Sequence, residues 1–216
     1  MKYQAVLFDF DYTLGDATDS ILAGTHYALD IMGYPLPTRD QVRATVGYVL
    51  ADCYTLLTGD SDPERRDRFC KLFREKAHPI QICSTPLFPG AMELLESLHA
   101  AGIPVAVVSS KAGHTLRGIL QHNKVEPLLS LILGSDDVHS PKPDPEGILI
   151  TLERLGLSPD QILYCGDTVI DAEAAQRAGT DFCAVLNGTT PREAFEVWPH
   201  AHIAPDLTDL KTWLNL

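Results

Sequence analysis

The chain has 216 residues, of which 45% are apolar, so it is long enough for one large domain or for a core with an inserted segment. This apolar fraction is ordinary for a globular protein and argues against a disordered chain. Lysine and arginine number 17 against 29 acidic residues, which gives a formal net charge of −12. Such a chain repels nucleic acid, and any site for an anionic ligand must supply its own positive charge.

The sequence also predicts a cytoplasmic protein. No stretch approaches the roughly 20 apolar residues that a membrane span needs. The first apolar run is interrupted by Asp9 and Asp11, so we expect no secretory signal. The five cysteines are odd in number and lack metal-ligand spacing, as is typical of reduced thiols in the cytoplasm.

Residues 4–9 form a short apolar run that predicts a buried strand. Asp9 and Asp11 stand one residue apart at its carboxyl end, and Thr13 follows. In an open α/β sheet, ligands bind just outside the carboxyl ends of the strands. Two carboxylates at that place are costly unless a cation or a proton neutralises them. The strand therefore indicates a candidate site.

The next part of the chain, residues 15–86, contains helical patterns and no convincing strand. Thr18-Asp19-Ser20 is typical of a helix start, and Gly33 is typical of the end of that helix. Two further helical stretches are predicted, at about 39–57 with a break at Val46-Gly47, and from Pro63 to about His78. We therefore expect an all-helical insertion directly after the first strand.

From residue 87 onward, strands and helices alternate, which predicts a doubly wound parallel sheet. The chain lacks a GxGxxG motif after the first strand, so a dinucleotide site is not expected. The predicted strands are 103–108, 128–133, 162–166, 181–185 and 202–204, and the predicted helices are 90–102, 112–122, 145–156, 171–178 and 206–214.

Polar residues follow two of these later strands. Ser109 and Ser110 come directly after strand 103–108, and Asp167 and Asp171 follow strand 162–166. Lys142 lies between two prolines, which restrict its backbone. On the residues alone, Ser109 could also be a plain helix N-cap, and Lys142 could also be an exposed lysine of a proline-rich turn.

The order of these motifs is DxDxT, a strand-end serine, Lys-Pro and GDxxxD. With this order the chain resembles the haloacid dehalogenase-like (HAD) hydrolases, and within them the branch similar to phosphoglycolate phosphatase and β-phosphoglucomutase. The resemblance covers essentially the whole chain. It implies an α/β fold with a Rossmann-like core at 1–14 and 87–216, and an inserted helical cap domain at 15–86 that closes over the active site.

The resemblance also implies roles for the motif residues. Asp9 matches the nucleophile, which would take the phosphoryl group as an aspartyl-phosphate. Ser109, Ser110 and Lys142 match groups that hold the phosphate. A carboxylate that attacks a phosphate needs a cation, and Mg²⁺ suits an all-oxygen site. Its implied ligands are Asp9, the backbone carbonyl of Asp11, Asp167, and Asp171 directly or through water.

Asp11 matches the general acid/base of the phosphatase members. The dehalogenase branch carries a non-acidic residue at this position, because halide leaves without a proton. Asp11 therefore favours a phosphatase or a phosphomutase. Two departures from the usual pattern bear on substrate choice: Tyr12 stands where a glycine is common, and Ser110 stands where an asparagine is common.

The segment Arg43–Tyr48 resembles the cap stretch that faces substrate in phosphoglycolate phosphatase-like members, so Arg43 or Tyr48 is expected near the leaving group. The leading expectation is a Mg²⁺-dependent phosphatase, monomer or homodimer, acting on a small phosphorylated metabolite, with phosphoglycolate first. A sugar phosphomutase and an inorganic pyrophosphatase remain open on the same core. A non-catalytic regulatory protein also remains open, although loss of Asp9 or Asp11 would have signalled it.

Overall fold

The computed structural model of the protein describes residues 2–216. Its centre is a six-stranded, all-parallel sheet with the order β3-β2-β1-β4-β5-β6. The strands are β1 (Ala5–Phe8), β2 (Val105–Val108), β3 (Leu131–Leu133), β4 (Ile162–Gly166), β5 (Asp181–Val185) and β6 (His202–Ala204). The helices are α1 (Thr18–Met32), α2 (Arg39–Arg43), α3 (Leu50–Thr58), α4 (Pro63–Ser84), α5 (Ala91–Ala100), α6 (Gly113–His122), α7 (Glu146–Leu155), α8 (Val169–Ala178), α9 (Arg192–Phe195) and α10 (Leu207–Trp213).

Helices cover both faces of the sheet, as the doubly wound prediction requires. Successive strand residues point to opposite faces: Val6 and Phe8 pack in one apolar cluster with α5, α6 and α10, whereas Ala5 and Leu7 pack in a second cluster with α7, α8 and α9. All four residues of β1 are fully buried. This two-sided burial explains why the strand reads as a continuous apolar run rather than as an alternating one.

The four helices α1–α4 follow β1 directly and have an apolar cluster of their own. Its members come from three of the helices and are Ala28, Leu29, Tyr54, Phe69, Cys70, Phe73 and Ala77. The hydroxyls of Tyr34 and Tyr54 both contact a carboxylate oxygen of Asp60, at 2.5 and 2.9 Å. The segment therefore has a separate core and a separate polar network.

The helix α4 is longer than predicted, because it continues past His78 through Pro79 to Ser84. Proline removes one helical hydrogen bond, which is why the sequence favoured an end near that residue. Tertiary packing outweighs the loss, since Ile82 lies against Gly118 of α6 and Asn123 donates a hydrogen bond to the carbonyl of Thr85 at 3.0 Å.

Smaller differences concern the ends of elements. The N-cap of α1 is Ala17 rather than a residue of Thr18-Asp19-Ser20, and the Asp16 carboxylate accepts the Thr18 N–H at 2.9 Å. The strand β3 begins at Leu131 because residues 126–128 form a 3₁₀ turn. The short helix α9 was not predicted. Among residues 2–216, no helix has the combined length and apolarity that crossing a membrane requires.

Candidate active site

The predicted site residues meet at one edge of the sheet. The strands β2, β1 and β4 are neighbours and parallel, so their carboxyl ends place Ser109, Asp9 and Asp167 side by side. Asp171 joins them from the first turn of α8. The strand order reverses between β1 and β4, which is where open α/β sheets bind ligands.

Three of these acids form a compact cluster. Asp9, Asp167 and Asp171 are buried, and one carboxylate oxygen of each lies within 4.8 Å of the others. Lys142 is the cation that contacts this cluster, so three carboxylates and one ammonium leave two negative charges unbalanced. A divalent cation with a preference for oxygen ligands would balance them. The donor set therefore fits Mg²⁺ in both charge and chemistry.

The carboxylates of the cluster differ in how many hydrogen bonds their oxygens already accept. One oxygen of Asp171 accepts hydrogen bonds from Lys142 and Tyr164, and the other accepts from Thr168. Among residues 2–216, the side chain of Asp167 accepts only one long hydrogen bond, of 3.3 Å, from the Thr13 hydroxyl. Asp167 is therefore the better candidate for a direct metal ligand, and the geometry of Asp171 favours a contact through water.

Lys142 is held at the centre of the cluster rather than exposed in a turn. Its Nζ lies 2.8 Å from Asp9 Oδ1, 2.6 Å from Asp171 Oδ1 and 3.1 Å from the Tyr164 hydroxyl. The side chain is only 7% exposed. An ammonium fixed in this way remains beside the carboxylate that is predicted to react.

Burial dominates the electrostatics of these groups. Burial raises the pKa of Asp9 to about 6, against the opposing attraction of the Lys142 ammonium. Burial, together with repulsion from Asp171 and Asp9, raises the pKa of Asp167 well above its ordinary value. Burial alone would lower the pKa of Lys142, but the attraction of Asp171 and Asp9 outweighs it and raises that pKa. The protein environment therefore disfavours simultaneous ionisation of the clustered carboxyl groups, and a bound cation would offset that penalty.

Asp11 has a different partner, which the sequence did not reveal. The Lys111 ammonium lies 3.0 Å from Asp11 Oδ2, with the two side chains 6% and 13% exposed. The other oxygen of Asp11 is buried and has no hydrogen-bond partner among the described residues. The available signal was the position of Lys111, two residues after Ser109 at the end of β2.

Ser109 is buried at the end of β2, and its hydroxyl accepts the N–H of Lys111 at 3.3 Å. It is not the N-cap of the next helix, because that position belongs to Ala112. The hydroxyl of Ser110 is buried and has no partner within residues 2–216. Both serines therefore offer hydroxyl groups close to the acids, as a phosphate site requires.

Tyr12 shows how the chain accommodates a bulky residue in the position of the usual glycine. Its φ is +61°, in the left-handed region that glycine favours, and its side chain is buried. The Tyr12 hydroxyl contacts the Thr18 hydroxyl at 2.8 Å, and the guanidinium of Arg43 lies over the ring at 5.6 Å. The ring thus turns towards the helical segment rather than into the site.

A cavity of about 210 Å³ opens above the acids and reaches under the helical segment. Of the two residues predicted near the leaving group, Tyr48 lines this cavity, whereas Arg43 is not among the lining residues and packs on Tyr12 instead. The lining residues of the sheet edge include Asp9, Asp11, Ser109, Ser110 and Lys111, and those of the helical segment include Thr25, Tyr48, Phe73, Arg74, His78 and Gln81.

Comparison with known proteins agrees with this geometry. A phosphoglycolate phosphatase of Shigella boydii is 27% identical over 234 residues, which cover 99% of this chain and 93% of the relative. One from Escherichia coli K12 is 26% identical with the same coverage. Within the haloacid dehalogenase-like hydrolases, the chain is thus similar to the phosphoglycolate phosphatases.

Solved structures give the same fold. A haloacid dehalogenase-like hydrolase from Bacteroides fragilis has a TM-score of 0.93 and 33% identity, and the match covers 97% of this chain and all of that one. A haloacid dehalogenase-like family hydrolase from Streptococcus pneumoniae shares the fold, with a TM-score of 0.88 at 22% identity and 99% coverage of both chains. The model of the haloacid dehalogenase-like hydrolase family matches residues 6–185. The chain therefore belongs to this family and is a hydrolase.

Proposed function

We propose that the protein is a Mg²⁺-dependent phosphatase that hydrolyses a small phosphorylated metabolite, with phosphoglycolate as the leading substrate. The observation that carries this proposal is the buried cluster of three acids around Lys142, with Asp11 on the wall of the adjoining cavity. Asp9 lies in the acid cluster beside Lys142, whereas Asp11 lies beside Lys111 on the cavity wall. Asp9 thus has an ammonium and a predicted cation site beside it, as a carboxylate nucleophile for phosphate needs, and Asp11 is a second carboxylate that faces the cavity, where a leaving oxygen would lie.

In this proposal, Asp9 attacks the phosphorus and the ester oxygen leaves on the opposite side. Asp11 gives that oxygen a proton and later takes one from the water that hydrolyses the aspartyl-phosphate. Lys142 holds Asp9 in place and, with the hydroxyls of Ser109 and Ser110, offsets the charge of the phosphoryl oxygens.

Asp9, Asp167 and the backbone carbonyl of Asp11 would hold Mg²⁺, with Asp171 contributing through water. When bound, the cation neutralises the charge of the carboxylates and polarises the phosphoryl group. The protein's own side chains orient the carboxylates. Lys142 and Thr168 donate hydrogen bonds to Asp171, and Thr13 donates one to Asp167.

We further propose that residues 15–86 act as a cap over the core at 1–14 and 87–216. The helical segment has its own apolar cluster and supplies Tyr48 and His78 to the wall of the cavity. A cap in this place excludes water and selects the leaving group. The modest cavity supports a small molecule as substrate and argues against a phosphoprotein.

A sugar phosphomutase and an inorganic pyrophosphatase would use the same core residues, so the panel of substrates must separate them. A non-catalytic protein is the remaining alternative. The presence of both Asp9 and Asp11 with different charged partners argues against it. The cytoplasmic location and the monomeric or dimeric state stay predictions.

The test is release of phosphate from phosphoglycolate, sugar phosphates, nucleoside monophosphates and pyrophosphate. With Mg²⁺ present, we expect release from phosphoglycolate to be fastest; with EDTA we expect release to fall at least about 100-fold, since the charge of the acid cluster is then unbalanced. Restored activity on re-adding Mg²⁺ is the control for damage by the chelator. Equal activity with and without EDTA contradicts metal dependence.

Gly188 gives a milder test of the cation site. A Cβ at this position would lie 2.1 Å from Asp167 Oδ2, so Gly188→Ala must displace a predicted metal ligand. We expect the Mg²⁺ concentration for half-maximal activity to rise about 10-fold or more, while the far-ultraviolet circular dichroism stays that of the wild type. An unchanged Mg²⁺ requirement contradicts the assignment of Asp167 as a ligand.

A further inference from the structure

Lys111 forms a buried ion pair with Asp11 but has no role of its own in the scheme above. The two charged atoms are 3.0 Å apart, and both side chains are largely enclosed. Both residues line the cavity. Enclosing two charges in a protein is costly unless they are well paired. A pair kept in the wall of a substrate cavity therefore calls for a functional explanation.

The two lysines of the site serve different carboxylates. Lys142 contacts Asp9 and Asp171, the groups on the phosphoryl side. Lys111 contacts Asp11, the group proposed to protonate the leaving oxygen. The Lys111 ammonium thus lies on the leaving-group side of the cavity, where a charged substituent of the leaving alcohol would meet it.

We propose that Lys111 is a specificity-determining residue, which selects phosphate esters whose alcohol carries a carboxylate on the carbon that bears the ester oxygen. This inference rests on the proposed phosphatase function. By standard bond lengths and angles, the ester oxygen and the nearest carboxylate oxygen of such an ester are about 3 Å apart. The Asp11 oxygen and the Lys111 ammonium have the same spacing. Asp11 can therefore face the ester oxygen while Lys111 faces the carboxylate.

The net charge of the protein also favours a substrate-binding role for Lys111. With a formal net charge of −12, the protein repels anions at long range, so a doubly anionic substrate needs cations inside the cavity. A carboxylate beside Lys111 gains a charge-assisted hydrogen bond. A neutral leaving group gains none, and a site built for such a bond discriminates against ligands that cannot form it.

The test compares phosphoglycolate with ethyl phosphate, which has the same two-carbon skeleton and a neutral end. We expect the wild type to favour phosphoglycolate in kcat/KM by about 10- to 100-fold, the range for a hydrogen bond to a charged group. Lys111→Met should bring the ratio of the two values close to one, and Lys111→Arg should keep most of the preference. The exposed Lys71 of α4 provides the control, since Lys71→Met should keep the wild-type ratio.

The measured kcat/KM values distinguish a specificity role of Lys111 from a positioning role. If Lys111→Met lowers both kcat/KM values by the same factor, the lysine only positions Asp11 and the specificity role is overturned. Lys111→Gln is the second neutral variant for the case that the methionine variant does not fold. A wild type that hydrolyses both esters equally overturns the specificity role and leaves the phosphatase function intact. Release from neither ester, nor from any other phosphate, overturns both.

Discussion

Replacing Asp9 by asparagine is expected to lower kcat for phosphate release by at least about 10⁴-fold, as losses of covalent nucleophiles do. The amide of asparagine does not attack phosphorus and does not bind a cation as a carboxylate does. Lys142 would also lose one of its two carboxylate partners. The measurement is single-turnover phosphate release at saturating Mg²⁺.

The matched control is Asp40→Asn, the same chemical change at a side chain that is 93% exposed; its kcat should equal that of the wild type. Calorimetric titration of both variants with Mg²⁺ separates loss of the nucleophile from loss of the metal. An Asp9→Asn enzyme that keeps more than about a tenth of the wild-type kcat contradicts the nucleophilic role.

Replacing Asp11 by asparagine is expected to lower kcat for alkyl phosphates by about 10²- to 10⁴-fold, the usual contribution of a general acid or base. The loss in the first step should be smaller for p-nitrophenyl phosphate, because nitrophenolate leaves without a proton. The second step still lacks its base, so the aspartyl-phosphate should accumulate. A burst of one nitrophenol per enzyme, followed by slow turnover, is the expected time course.

Mass spectrometry of the quenched Asp11→Asn enzyme should then find one added phosphoryl group, located on Asp9. The double variant Asp9→Asn/Asp11→Asn is the control and should give neither the burst nor the added mass. Steady turnover of p-nitrophenyl phosphate without a burst contradicts the assignment of Asp11 to the second step.

Most of the fold could be predicted because its signals are local. The strand β4 was predicted with the bounds that the structure has, and α1 ends before Gly33 as expected. The meeting of Asp9 with Asp167 was implied by the family resemblance, and it agrees with the rule that ligands bind at the carboxyl ends of parallel strands. The long α4 was missed because Pro79 is a local signal for a helix end, whereas the packing of Ile82 on Gly118 is not local.

The residues missed at the site depend on contacts between distant parts of the chain. The position of Lys111 two residues after Ser109 places it near the site, but it does not show that the ammonium meets Asp11, because the path of a long side chain depends on the finished cavity wall. Arg43 or Tyr48 was expected near the leaving group; Tyr48 lines the cavity, whereas the Arg43 guanidinium packs on the Tyr12 ring. The positive φ of Tyr12 is likewise not specified by a sequence for a residue with a side chain.

Gly15 and Leu87, at the two ends of the helical segment, form an isolated antiparallel bridge. This bridge has a consequence for the order of folding. Val6 of β1 pairs with Val105 of β2, so the central strands meet only after a long loop has closed, at a cost that grows with loop length. Once the helices between them have folded, Gly15 and Leu87 are side by side and the effective loop is far shorter. If the helical segment forms first, the loop that β1 and β2 must close is shorter, and topology with fewer distant contacts folds faster.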